Sequence, residues 1–330
     1  MHEFSNKDTL CIPVPLFHCF GCVLGTLTCV VSAAAMAPVV AFKPDEVLET
    51  VQASKCTGLH GVPTMFIAEL EQMKEKTYDT STLRTGIMAG SPCPIEVMKQ
   101  VVDVMGAGEM CITYGQTEAS PGITMTRTTD SLERRVSTVG KALPEVEVKI
   151  VDPATGQELP PGRQGELCTR GYHVMKGYYK NPEATQDAID GEGWLHTGDL
   201  AIMDADGYCK ITGRIKDMII RGGENIYPRE IEEFLYTHPK IKDVQVVGVP
   251  SRKYGEEVAA FIQLKPGETA SQEELKSFCK DQIAFHKIPA YFKFVQEYPT
   301  TASGKIQKYK LREEATKDLG REEEAKIATA

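Results

Sequence analysis

At 330 residues the chain exceeds the length at which a single hydrophobic core usually keeps growing, so two domains are expected. Apolar content of 42% and charged content of 25% suit a chain that folds in water, and a net charge of −9 excludes a basic nucleic-acid face as its organising function. Ten cysteines scattered through apolar segments point to buried thiols in a reducing, intracellular compartment and away from a disulfide scaffold.

Residues 9–42 carry no charge apart from that of His18, a run long enough to raise a membrane span. Pro13, Pro15, Gly21, Gly25 and Pro38 interrupt it, so short buried strands and a core helix are expected instead, with no integral span. Met1-His2-Glu3 is no basic leader. Cys19 and Cys22 form a CxxC beside His18, but without a second ligand pair it reads as structural. Apolar runs at 10–14, 39–42, 58–59 and 85–89 alternate with helical patterns near 45–53 and 64–73, the signature of a parallel α/β sheet. Such sheets bind ligands beyond the carboxyl ends of their strands. Four loops there stand out: Pro15-Leu16-Phe17-His18, Gly61-Val62-Pro63-Thr64, Gly90-Ser91-Pro92 and Thr113-Tyr114-Gly115-Gln116-Thr117-Glu118. In the last, an aromatic can stack on a base, Gly115 admits close backbone approach, Thr117 offers a hydroxyl to a phosphate and Glu118 offers hard oxygens to Mg2+. The same residues also read as a turn with a helix cap.

From 137 to 213 short strands punctuated by Gly and Pro suggest a small antiparallel barrel. If Asp206-Gly207 is a two-residue turn, Ala205 pairs with Tyr208 and the register sets Asp199 opposite Arg214, as a ligand-flanking pair or as a surface ion pair of little worth. Next comes Lys216-Asp217, an apolar pulse over 218–220, Gly222-Gly223, and a helix start in which Pro228 suits the first turn. Residues 217–315 read as a compact α+β unit with strands at 243–249, 258–264 and 291–295. Its helix is opened by a Ser271/Glu274 capping box and has Leu275, Phe278, Cys279 and Ile283 on one face. Lys305, in the loop Ser303-Gly304-Lys305, can project a compact positive charge or sit solvated. The charge-dense stretch 307–330 reads as a solvated helix ending in a tail.

Taken in order, Pro15-Leu16-Phe17-His18, Gly90-Ser91-Pro92, Tyr114-Gly115-Gln116-Thr117-Glu118, Thr197-Gly198-Asp199, Gly213-Arg214-Ile215-Lys216-Asp217 and Ser303-Gly304-Lys305 resemble the adenylate-forming superfamily of acyl-CoA synthetases, luciferases and peptide-synthetase adenylation domains. Residues 221–228 and 304–308 resemble its medium-chain fatty acyl-CoA ligase branch. The resemblance implies an α/β plus small β-barrel part of the large domain, followed by a small α+β C-terminal domain. The expected boundaries are 1–135 and 136–215 for the two subdomains, 216–315 for the small mobile domain and 316–330 for a charged tail. It implies a two-step reaction, in which a carboxylate attacks the α-phosphate of ATP to give acyl-AMP and pyrophosphate, and the CoA thiol then displaces AMP. ATP, CoA and a fatty acid are the implied small-molecule partners, with Mg2+ as metal and no tightly bound organic cofactor. The implied roles are Gly90, Ser91, Pro92 and Tyr114 around adenine, Gly115 and Gln116 elsewhere in the nucleotide site, Thr117 at the α-phosphate, Glu118 at Mg2+, and Asp199 and Arg214 at the ribose. Lys305 bridges carboxylate and phosphate, His18 gates the acyl pocket, Lys216 is the hinge, and Gly222 and Gly223 serve the CoA side. The family's Ser/Thr/Gly-rich phosphate loop has no counterpart here, so a truncated form is expected, and with it the alternative of a silent AMP- or CoA-binding module. A ligase for a non-fatty acid is the other alternative. The final Ala328-Thr329-Ala330 is not a peroxisomal address, which leaves cytoplasm, mitochondrion and peroxisome all open.

Overall fold

Leu10, Cys11 and Ile12 are all buried, and alternate side chains enter different cores, as expected of a strand covered on both faces. That strand, β1 (Thr9–Ile12), belongs to a seven-stranded sheet with β2 (Ala35–Pro38), β3 (Gly58–Gly61), β4 (Thr85–Met88), β5 (Glu109–Gly115), β6 (Gly122–Met125) and β7 (Lys141–Ala142), in the order β2-β1-β3-β4-β5-β6-β7. The first five strands run parallel, and β6 and β7 are antiparallel. The computed structural model describes residues 3–91, 93–301 and 304–325. It divides into two compact units, Met1–Ile211 with Ala302–Lys305, and Thr212–Thr301 with Ile306–Ala330.

In the first unit, helices Pro44–Ala53 and Pro63–Glu75 each open with a proline at a first-turn position, where its missing N–H costs nothing. With helix Ile95–Met105 they supply Val47, Leu48, Val51, Phe66, Leu70, Val97, Met98 and Val101 to one core. Two expectations near the start are corrected. The strand placed at 39–42 lies instead at Ala35–Pro38, where it pairs with β1 from Thr9↔Ala35 to Ile12↔Pro38; Val40, beyond it, is fully exposed. The expected core helix is a π-helical turn, Phe20–Leu27, running into helix Thr28–Ser32, and it is only half covered. Phe20, Gly21, Gly25 and Cys29 face inward, while Leu27, Val30 and Val31 are exposed. Gly21 has no room for a side chain, since a Cβ would lie 2.4 Å from the Pro15 carbonyl oxygen. No described helix is long and apolar enough to cross a membrane, and all ten cysteines are free thiols.

The antiparallel strands β8 (Val146–Val151), β9 (Gln164–Gly171), β10 (Leu195–Met203) and β11 (Cys209–Arg214) form a four-stranded sheet ordered β11-β10-β9-β8. Residues 139 and 140 hydrogen-bond to Cys209, which gives the outer strand β11 further backbone partners. The turn joining β10 to β11 is not the expected two-residue one. Gly207 N–H donates to the Asp204 carbonyl, Asp204 N–H donates to the Tyr208 carbonyl, and Gly207 has φ +85°, a three-residue loop with a glycine bulge. Asp204 replaces Ala205 opposite Tyr208, so counting from the turn no longer sets Asp199 opposite Arg214. The Asp204 carboxylate stabilises the longer loop by accepting from the Asp206 and Tyr208 amides.

The second unit is a five-stranded sheet of β12 (Ile219–Arg221), β13 (Glu224–Ile226), β14 (Ile241–Ser251), β15 (Gly255–Leu264) and β16 (Tyr291–Phe294). Period-two alternation in β14 and β15 feeds two cores. Val244, Val246, Val258, Ala260 and Ile262 pack with helices Pro228–Tyr236 and Gln272–Cys279, whereas Val247, Val249, Ala259 and Phe261 pack with helix Lys308–Asp318. This last helix corrects the solvated-tail expectation, because Leu311 and Ala315 are buried on the sheet. The Ser271 hydroxyl caps its helix by accepting from the Glu274 amide at 3.1 Å.

Candidate active site

The richest loop leaves the sheet at the end of β5, where the chain has no choice of residue at position 115. A Cβ on Gly115 would lie 1.8 Å from the Pro121 carbonyl oxygen. Tyr114, just before it, donates its hydroxyl to Asp199 Oδ2 at 2.7 Å, joining two segments 85 residues apart. Gln116 is half-buried and Thr117 exposed, and Thr117–Ala119 form a short helical turn. Cys19 Sγ lies 3.7 Å from the Thr117 hydroxyl, which puts the loop after β1 beside the loop after β5. Both lie beyond carboxyl ends of parallel strands, where open α/β sheets bind ligands.

Glu118 is half-buried, and its Oε1 accepts from the Tyr178 hydroxyl at 2.8 Å while its backbone carbonyl accepts from Met175 N–H. One carboxylate with one oxygen already oriented suits Mg2+, which binds through one or two carboxylates and keeps its waters and phosphate oxygens as the other ligands. Tyr178 joins the candidate site through Glu118, and spacing does not announce it. Its only sequence signal is the aromatic pair Tyr178-Tyr179 after Gly177.

Asp199 is buried, and the turn before it is held by a second residue missed in the sequence. Glu166 Oε1 accepts from Gly198 N–H at 2.9 Å, and Oε2 lies 2.8 Å from His196 Nδ1. Gly198 sits at φ +69°, inside the irregularity where the β9–β10 register shifts between His196 and Leu200. Thr197 fixes the other side by donating to the Leu167 carbonyl at 2.7 Å.

His18 accepts from Phe20 N–H at Nδ1, 3.1 Å away. Burial, and then the Lys305 ammonium, hold its imidazole below the usual histidine range, which favours the neutral ring. Gly304 and Lys305 group with the first unit, and the Thr64 hydroxyl donates to the Gly304 carbonyl at 3.3 Å. Gly90 takes φ +90°, and a Cβ on it would lie 3.1 Å from Val62. Ser91 is half-buried beside it; Pro92 and Ser303 lie outside the described residues. Thus in the first unit Tyr114 joins Asp199, Thr117 lies by Cys19, and Lys305 influences His18. Arg214, Lys216, Gly222 and Gly223 belong to the second unit. There Arg214 ends β11, Lys216 lies in the turn Ile215–Asp217, and Gly222-Gly223 is a two-residue hairpin loop between Arg221 and its partner Glu224, with both φ values positive.

Comparison with known proteins bears on this arrangement. Residues 1–179 match the AMP-binding enzyme family, and residues 230–305 match the AMP-binding enzyme C-terminal domain. A Bacillus subtilis (strain 168) protein named "Putative acyl-CoA synthetase YngI" is 67% identical over 309 residues, covering 94% of this chain and 56% of its own length. The mitochondrial medium-chain acyl-CoA ligase ACSF2 of Danio rerio is 50% identical, over 97% of this chain and 53% of its own length. The crystal structure of ATP-bound MatB from Rhodopseudomonas palustris superposes with a TM-score of 0.88 at 32% identity, covering 96% of this chain and 62% of that one. The chain therefore spans about half the length of the curated relatives it matches.

Proposed function

The chain belongs to the AMP-binding enzyme family, and from that premise we propose that it serves an ATP-dependent, AMP-forming ligation of a fatty acid to the thiol of CoA. The observation that carries the reading is the Tyr114–Asp199 hydrogen bond, which joins the loop proposed for adenine to the aspartate proposed for ribose. The names of YngI and ACSF2 support an acyl-CoA product, ACSF2 supports a medium-chain acid, and the ATP in the MatB crystal structure supports the nucleotide.

In this mechanism Gly90, Ser91, Pro92 and Tyr114 frame adenine, Gly115 and Gln116 line the nucleotide site, and Asp199 and Arg214 take the ribose hydroxyls. The Thr117 hydroxyl donates to an α-phosphate oxygen. Glu118, oriented by Tyr178, would hold Mg2+, which when bound would supply neutralisation of phosphate charge. The Lys305 ammonium bridges the incoming carboxylate and the α-phosphate while negative charge moves between them, and a fixed cation there lowers the barrier without transferring a proton. A neutral His18 lines the acyl side without adding a second positive charge beside Lys305. Lys216 takes the hinge role between the half-reactions, and Gly222-Gly223 takes the CoA side.

Lys305→Ala separates these roles. Adenylate formation should fall by about three orders of magnitude, as expected for loss of a preorganised charge at the reacting centre. Release of acyl-CoA from supplied acyl-AMP and CoA should stay within a few-fold of wild type. Equal losses in both half-reactions would contradict the assignment.

A further inference from the structure

Outside the proposed nucleotide residues, one cluster on the four-stranded sheet has the composition of a soft-metal site. His196 and Cys168 are directly opposed cross-strand partners of β10 and β9, so both side chains stand on one face, and Glu166, two residues before Cys168, shares it. Cys168 Sγ lies 3.5 Å from His196 Nδ1, and Glu166 Oε2 lies 2.8 Å from the same nitrogen. One ligand atom from each of the three falls within 4.8 Å of the others. A tetrahedral zinc ion with Zn–S of about 2.3 Å and Zn–N or Zn–O of about 2.0–2.1 Å separates its ligand atoms by roughly 3.3–3.6 Å, so small side-chain adjustments would suffice. The partners that orient metal ligands are also present. Asp190 Oδ2 stands 3.7 Å from His196 Nε2, on the far side of the ring, and Gly198 N–H donates to the other oxygen of Glu166.

From this geometry we propose that Glu166, Cys168 and His196 form a zinc-binding site, with a water as fourth ligand. The thiolate makes it selective for Zn2+ over Mg2+, which prefers oxygen. A glutamate–histidine pair by itself accounts for two of these groups. The thiol placed against the same imidazole nitrogen is what the metal explains in addition. His196 is about one-third exposed and opens the path by which the ion enters. Glu166 and Asp190 make the surroundings negative, while Lys149, an opposing charge close to the thiol, rests its ammonium over the Trp194 ring. Burial, then Glu166, pushes the Cys168 thiol up to about 12. Coordination therefore exchanges the thiol proton for the ion: the S–H bond breaks, the S–Zn bond forms and one proton leaves to solvent. His196 offers its Nδ1 lone pair and keeps its proton on Nε2, facing Asp190. The site adjoins the proposed nucleotide residues through Gly198 but does not depend on the ligase reading.

The test uses the full chain with Cys19 and Cys22 changed to Ser, because these two thiols are the ones not buried. Zn2+ competition against a chromophoric chelator should give one ion per chain. Co2+ should give a thiolate-to-cobalt charge-transfer band. Cys168→Ser and His196→Ala should each weaken Zn2+ binding by roughly tenfold or more, the usual cost of disturbing a metal's ligands, whereas Cys56→Ser should leave it unchanged. Absence of the cobalt band in the Cys19/Cys22 variant, which itself needs no change at the site, would overturn the proposal. So would Zn2+ affinity that Cys168→Ser leaves intact.

Discussion

Two buried residues of the first unit act in opposite directions on the pH dependence of stability. Glu69 is fully buried with neither carboxylate oxygen hydrogen-bonded, and burial pushes its pKa from 4.5 up to about 8. His60, buried between the Leu24 carbonyl and Ile87 N–H, is pushed by burial from 6.5 down to about 4. Between pH 4.5 and 8 the folded chain keeps a Glu69 proton that the unfolded chain has lost, so stability falls as pH rises. Between pH 4 and 6.5 the unfolded chain binds a His60 proton that the folded chain refuses, so stability rises with pH. The two offset each other up to about pH 6.5, and above it Glu69 acts alone. Glu69→Met should therefore abolish a loss of about 2 kcal/mol between pH 6.5 and 8, at 1.36 kcal/mol per pH unit. Urea denaturation at the two pH values checks this, and parallel losses in wild type and variant would contradict it.

Some of this residue chemistry was legible in the sequence. Tyr114, Thr117, Glu118 and Asp199 stand in motifs whose composition suits nucleotide chemistry before any contact is known. Glu69 also left a trace, since it follows Met65 and Phe66 on the buried face of its helix, though a single glutamate on a helix ordinarily reads as solvated. Tyr178 left only the aromatic pair Tyr178-Tyr179, and Glu166 left none. Their roles come from partners 60 and 32 residues away, Glu118 and Gly198, which no local pattern encodes.

At the scale of elements, sequence periodicity located most helices and strands and misplaced those governed by distant packing. The strand at Ala35–Pro38 is set by pairing with β1, and the more apolar 39–42 lies past it. The loop 204–208 is lengthened by the Asp204 side chain, which the Asp-Gly pair two residues on obscures. Helix Lys308–Asp318 is dense in charge, yet Leu311, Ala315 and Leu319 recur every four residues and form a narrow stripe against Val247, Val249 and Phe261. Leu311 is 1% exposed, and Leu311→Ala should cost about 2–5 kcal/mol, as for other buried leucines. A loss of unfolding free energy in urea of less than a quarter of that would show the helix to be the solvated one that its charge suggests.

For the whole molecule, the order of motifs along the chain was the most informative signal. Six short motifs, each compatible with an ordinary turn or cap, occur in one family's order across nearly the whole chain. The structure divides between Ile211 and Thr212, just ahead of Lys216. The first unit brings Lys305 close enough to lower the pKa of His18, 287 positions away, and that pairing was reachable only through the resemblance. The proposed reaction couples ATP cleavage to acyl transfer by way of an adenylate. The direct measurement is product stoichiometry with a medium-chain fatty acid, ATP, Mg2+ and CoA supplied together. Acyl-CoA, AMP and pyrophosphate should form in equal amounts, each dependent on the acid. AMP binding without acid-dependent turnover, or ADP and phosphate in place of AMP and pyrophosphate, would contradict it.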